Sequence, residues 1–151
     1  MELLIEKNKK LINLKNIKEI DIDHSGKAHK EQCKRISSSV PKELGLYVYT
    51  SAQDNKVLYV GEGILQNRLW RHINKTKPGH NQKDERNIFF HLLKIQMKVF
   101  YVEASVLNFS KKKIGQLESA YKLLLNPLYD QMVEANILKE NCKIDLNEWE
   151  N

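Results

Sequence analysis

The run from Gly45 to His72, GLYVYTSAQDNKVLYVGEGILQNRLWRH, constrains the fold more than any other stretch of this chain. Two segments rich in Tyr, Val and Leu, Leu46 to Tyr49 and Val57 to Val60, flank a polar SAQDNK whose Asp54-Asn55 pair suits a turn, so the pattern predicts a β-hairpin. Strand side chains alternate between faces, which predicts Tyr47 with Tyr49 on one face of the first strand and Tyr59 with Val57 on one face of the second. Gly61 and Gly63 come next, suited to a tight backbone turn, and lead into ILQNRLWRHI, whose apolar spacing is helical. Arg68 and His72 stand four apart in that helix and therefore project from the same side. Phenols on a hairpin, followed by a guanidinium and an imidazole on the next helix, make an unusual cluster of polar and basic groups beside one sheet.

Upstream, residues 1 to 40 are hard to assign. Leu3, Leu4, Ile5, Leu11, Ile12, Leu14, Ile17, Ile20 and Ile22 fit neither the helical nor the strand period, and a mixture of short strand and helix is expected. His24, His29 and Cys33 invite a zinc assignment, but the tight four-ligand spacing of a structural zinc site is missing, and a polar loop leading into a basic helix is the expectation. Ser37-Ser38-Ser39 and Pro41 mark a junction between this extension, 1–40, and a domain expected over 41–130.

Downstream of the Arg68 helix, NKTKPGHNQKDERN is an exposed loop by composition. Arg71, Lys75, Lys77, Lys83 and Arg86 crowd this region, opposed only by Asp84 and Glu85, and such a density of cations suits a phosphate backbone. A short packed helix follows over Arg86 to Lys94, then a third strand over Lys98 to Leu107, with Val99, Tyr101 and Glu103 on one face and Phe100, Val102 and Ala104 on the other. Asn108 or Ser110 can cap the next helix, about Lys111 to Leu125, which Asn126-Pro127 ends. Within it Ile114, Glu118, Tyr121 and Leu125 form one stripe, flanked by Leu117 and Leu124. A carboxylate in an apolar stripe needs a partner: a cation, a hydrogen-bond donor or a metal. The remainder, 131–151, is expected to pack back on the domain or on a second subunit.

The chain has 151 residues, enough for one domain. Its 25 Lys and Arg against 19 Asp and Glu give a formal charge of +6, which favours polyanionic partners. Cys33 and Cys142 are far apart and make no disulfide framework. With no signal-like start and no run long enough to span a membrane, a soluble, cytoplasmic protein with no membrane partner is expected.

Gly45-Leu46-Tyr47 and Tyr59-Val60-Gly61 resemble the two signature tripeptides of the GIY-YIG nucleases, and Arg68 with His72 resembles that family's Arg, three residues, His motif. Glu118 is similar to the family's single metal-binding glutamate, which lies on a later helix before a Pro-containing turn. That turn usually ends in Asn; here Asp130 stands at the corresponding place, after Pro127-Leu128-Tyr129. The resemblance spans Leu44 to Asp130. It implies an α+β (α/β) domain, a small three-stranded antiparallel sheet flanked by helices, and a DNA endonuclease dependent on Mg²⁺ or Mn²⁺. It further implies that Glu118 holds the ion and that Arg68 clamps phosphate, a role suited to a planar, permanently charged fork. Tyr47 or Tyr59 would take the proton of the attacking water, and cations such as Arg68 or the metal would have to favour its phenolate, because a free phenol titrates near 10. His72 would position water or bind phosphate, and Glu62 would support the site or simply face solvent. Gly45 and Gly61 would shape it. A homodimer, with contacts through the amino-terminal extension, would allow both DNA strands to be cut. Two other classes of function compete: a nucleic-acid-binding domain of the same fold that does not cut, and an interaction module whose basic loop meets an acidic protein.

Overall fold

The computed structural model describes residues 16–75 and 84–138. Its centre is an antiparallel sheet with strands β1 (Lys18–Asp23), β2 (Leu44–Ser51), β3 (Val57–Ile64) and β4 (Gln96–Glu103), in the order β1-β4-β2-β3. The helices are α1 (His29–Ser39), α2 (Leu65–Asn74), α3 (Glu85–Leu92), the short α4 (Ala104–Leu107), α5 (Lys111–Leu125) and α6 (Leu128–Glu134). The α+β class and the flanking helices are as expected, but the sheet has four strands rather than three.

The additional strand comes from the amino-terminal extension. In KEIDID, Ile20 and Ile22 point into the core while Glu19 and Asp21 stay exposed, the alternation of a half-buried strand. Glu19 and Asp21 both reach Lys98 of β4, at 3.8 and 4.0 Å. Helix α1 then buries Ile36 and is tied down at its end: Tyr101 Oη donates to Ser39 O at 3.1 Å and Gln66 Nε2 to Val40 O at 3.0 Å. Ile20, Ile22, Ile36 and Val40 therefore pack in the same core as the hairpin.

Two apolar layers sandwich the sheet. One face carries Ile20, Ile22, Tyr47, Tyr49, Tyr59, Met97, Val99 and Tyr101, covered by Ile36, Leu65, Leu69, Ile73, Ile88, Phe89 and Phe90 of α1, α2 and α3. The other carries Leu46, Val48, Val57, Val60, Phe100 and Val102, covered by Leu117, Tyr121 and Leu125 of α5. The alternation read for β4 holds, although the strand stops at Glu103 and residues 104–107 turn into α4.

The hairpin differs from the simple reading in one respect. Tyr49 pairs with Tyr59 but Thr50 pairs with Val57, so a bulge places Leu58 as an extra residue. The bulge shifts the alternation: Tyr59 joins Tyr47 and Tyr49, and Val57 packs on the opposite face rather than beside Tyr59. Asn55 has φ of 58° in the turn, and Asp54 Oδ1 accepts from Lys56 N at 3.1 Å. Among the described residues no helix is long and apolar enough to cross a membrane.

Candidate active site

Strand β3 is an edge of the sheet, and α2, α5 and α6 all lie against it. Its two glycines sit inside the strand and not in a turn after it, as the sequence had suggested. Their function is space. Gly61 pairs directly with Tyr47, and any methyl at position 61 would run into the Tyr47 Oη and Cζ, so the phenol lies flat across the bare backbone. Gly63, at φ 138°, is equally covered by Arg68, whose Nε and aliphatic stem occupy the place of a side chain. Gly45, opposite Gly63, lets Leu65 at the start of α2 approach β2.

Helix α2 brings Arg68 and His72 to this surface from one face, as their spacing requires. Tyr47 Oη and His72 Nε2 form a 2.8 Å hydrogen bond between side chains that are each 2% exposed. Tyr59 stacks near Tyr47 with ring centroids 6.2 Å apart and meets the His72 ring edge-on at 5.0 Å. The His72 ring also stacks on Phe90, with centroids 4.3 Å apart. Tyr47, Tyr59, Arg68 and His72, from two strands and the helix that follows them, are thus brought together.

The electrostatics of the phenols run against the expected phenolate. Burial pushes the Tyr47 hydroxyl well above its ordinary value, and Tyr59 and Tyr49 add to this; the charges of Arg68 and Arg86 pull the other way but do not win. Tyr59 is raised to about 12, chiefly by burial, with Arg86 opposing. His72 is held neutral: burial, then Lys75, drives its pKa well below the usual histidine range.

Lys75 departs from the surface role assigned to it. It is 7% exposed, one helical turn beyond His72, with Nζ 2.9 Å from His72 Nδ1 and 5.2 Å from the Phe90 centroid. Arg71 and Arg86 are exposed as expected, and Lys77 and Lys83 lie outside the described residues. Arg86 also reaches inward, its guanidinium carbon 5.9 Å from the Tyr59 centroid. Tyr129 of α6 completes the wall at 5.1 Å from Tyr59. Sequence reasoning gave no site role to Phe90 or Tyr129, whose only signal was aromatic character beside the motif residues.

Glu118 lies at the margin of the α5 stripe, which is built instead from Ile114, Leu117, Tyr121 and Leu125, while Leu124 faces solvent. Its side chain is 22% exposed and pairs with Lys122 at 3.3 Å. Such an i,i+4 pair is worth only about 0.3–0.5 kcal/mol and leaves the carboxylate open to a stronger cation. Glu118, from α5, and Asp130, from α6, both act electrostatically on Tyr59. Asp130 Oδ2 is buried without a hydrogen-bond partner among the described residues, and burial raises its pKa. Hard divalent ions accept one or two carboxylates and keep several waters, so a half-buried carboxylate such as Glu118 fits Mg²⁺ or Mn²⁺ by donor type. No group of three or more His, Cys, Asp and Glu gathers as a metal cage among the described residues. Glu62 pairs with Leu46, hence on the sheet face opposite Tyr47, and its Oε2 is likewise buried without a partner among the described residues.

The chain matches no protein-family model, no curated protein and no solved structure.

Proposed function

We propose that this protein is a GIY-YIG-type, divalent-metal-dependent endonuclease that hydrolyses DNA phosphodiester bonds. The observation that carries this reading is the use made of β3: one glycine clears the backbone for Tyr47, which is locked to His72, and the other clears it for Arg68. Sheet stability needs no such arrangement, since glycine weakens a strand and buried polar groups need partners. It concentrates a phenol, an imidazole and a guanidinium at one strand edge, with carboxylates on the adjoining helices.

In this reading Arg68 holds the scissile phosphate and stabilises the charge that builds up on it. Tyr47 or Tyr59 accepts the proton of the attacking water, and His72 orients Tyr47. Glu118 would hold the ion, with Asp130 as a supporting carboxylate; when bound, the ion would supply a positive charge that neutralises phosphate and acidifies water. Arg71 and Arg86 line the approach for the DNA backbone.

A specific observation favours a second reading, a nucleic-acid-binding domain that does not cut: Glu118 is already ion-paired and burial opposes ionisation of both phenols. Plasmid cleavage in Mg²⁺, Mn²⁺ or EDTA separates the two, with Glu118→Ala alongside the natural chain and DNA binding followed by fluorescence anisotropy. The nuclease reading expects metal-dependent nicking that falls by at least about 10²-fold in Glu118→Ala while binding persists. Binding without cutting in every ion would establish the second reading instead.

A further inference from the structure

We propose that Lys75 is a positioning residue of this site, which sets the proton on His72 and takes up, through that imidazole, the proton that Tyr47 gives up. The inference rests on the reading of Tyr47 as the group that accepts a proton from water. Its geometric basis is an unbroken buried chain, Tyr47 Oη to His72 Nε2 at 2.8 Å and His72 Nδ1 to Lys75 Nζ at 2.9 Å.

A neutral imidazole carries one N–H, so its two neighbours cannot both be served in the same way. When Lys75 is an ammonium it can only donate, Nδ1 must accept, and the N–H lies on Nε2, pointing at the Tyr47 oxygen. When Lys75 is an amine it can accept from Nδ1–H, and Nε2 is then free to accept from the Tyr47 hydroxyl. From this second arrangement the Tyr47 O–H bond breaks as Nε2–H forms, while Nδ1–H breaks as Nζ–H forms. The products are a phenolate, the other neutral tautomer of His72 and an ammonium, with no proton gained or lost overall. The phenolate is left with a hydrogen bond from Nε2–H and with the new positive charge one imidazole away. A deeply buried phenol thereby has a route to ionise that does not require an imidazolium.

The surroundings of Lys75 suit the amine. Burial lowers its pKa to about 7, helped by Arg86, Arg68 and Arg71 and opposed by Asp84. His24, from the loop after β1, is also close enough to feel its charge and is itself kept neutral by burial. The Phe90 ring lies under Nζ, its centroid 5.2 Å away.

The test has a spectroscopic arm and a kinetic one. With ¹⁵N-labelled histidine, and His72 assigned against His72→Gln, the ring should pass from the Nε2–H to the Nδ1–H tautomer between about pH 6 and about pH 8.5 without becoming an imidazolium. Lys75→Arg, which donates to Nδ1 but never accepts, should hold the Nε2–H tautomer throughout, and Lys75→Met should show no change over the same range. In the plasmid assay the natural chain should gain activity through about pH 7, whereas both variants should lose about 10²-fold at pH 8, with Lys75→Met recovering only in stronger alkali. A single His72 tautomer from pH 6 to 8.5 in the natural chain, or a Lys75→Arg pH profile that superimposes on it, overturns the proposal. A tautomer change in a protein that cuts no DNA leaves the coupling of Lys75 to His72 standing and removes the nuclease reading.

Discussion

His24 makes the protein acid-sensitive in a calculable way. Its ring is fully buried between Tyr49, edge-on at 5.4 Å, and Phe90 at 5.6 Å, and neither ring nitrogen has a hydrogen-bond partner among the described residues. Burial holds its pKa at about 3; the Asp23 carboxylate favours the charged form and Lys75 opposes it. Unfolded, a histidine titrates near 6.5. Because the folded pKa is the lower, the unfolded chain binds a proton that the folded chain refuses: stability from this group is complete above about pH 6.5 and lost as pH falls toward 3. Between pH 7 and pH 5 the loss is about 1.5 units at 1.36 kcal/mol each, or about 2 kcal/mol, a large part of a typical 5–15 kcal/mol. His72, buried in the same layer, contributes in the same direction. Urea unfolding followed by circular dichroism at both pH values, on the natural chain and on His24→Leu, isolates the His24 share because His72 is common to both. The variant should lose about 2 kcal/mol less than the natural chain on acidification. Equal losses in the two proteins would refute the reasoning.

Two further outcomes follow from packing. Gly61→Ala places a methyl against the Tyr47 phenol, so it should destabilise by about 1–3 kcal/mol in urea unfolding and break the Tyr47–His72 hydrogen bond, seen as a changed His72 ¹⁵N signal. Ile22→Ala removes a fully buried side chain from β1 and should cost about 2–4 kcal/mol in the same measurement, where a loosely attached extension would show almost none.

Local pattern was enough for much of this architecture. Alternation in LGLYVYTS and MKVFYVE assigned β2 and β4 their faces, since a period of two is fixed by the pleat alone. Helical spacing put Arg68 and His72 on one side of α2, and a cap at Asn108 or Ser110 with the stop at Asn126-Pro127 bounded α5 at about Lys111–Leu125, where the structure uses Ser110. The tripeptides and the Arg68 helix supplied Tyr47, Tyr59, Arg68 and His72, but neither the burial of Lys75 nor the ring of Tyr129 beside Tyr59.

What the tertiary structure decided were the properties that depend on a partner distant in sequence. Strand β1 forms because β4 offers an edge; on its own, KEIDID is too short and its Leu- and Ile-rich approach too irregular to declare a period. Pairing with Tyr49 put Tyr59 on the face of Tyr47, and the bulge at Leu58, invisible to simple alternation, sent Val57 to the other face. Gly61 and Gly63 look like turn residues until the ring and guanidinium that lie over them are in place. Lys75 reads as one more surface cation, and only the layer formed by α3 over α2 buries it against His72. In each case a sequence specifies what a side chain can do, while burial and long-range pairing set the dielectric and the neighbours that determine its charge.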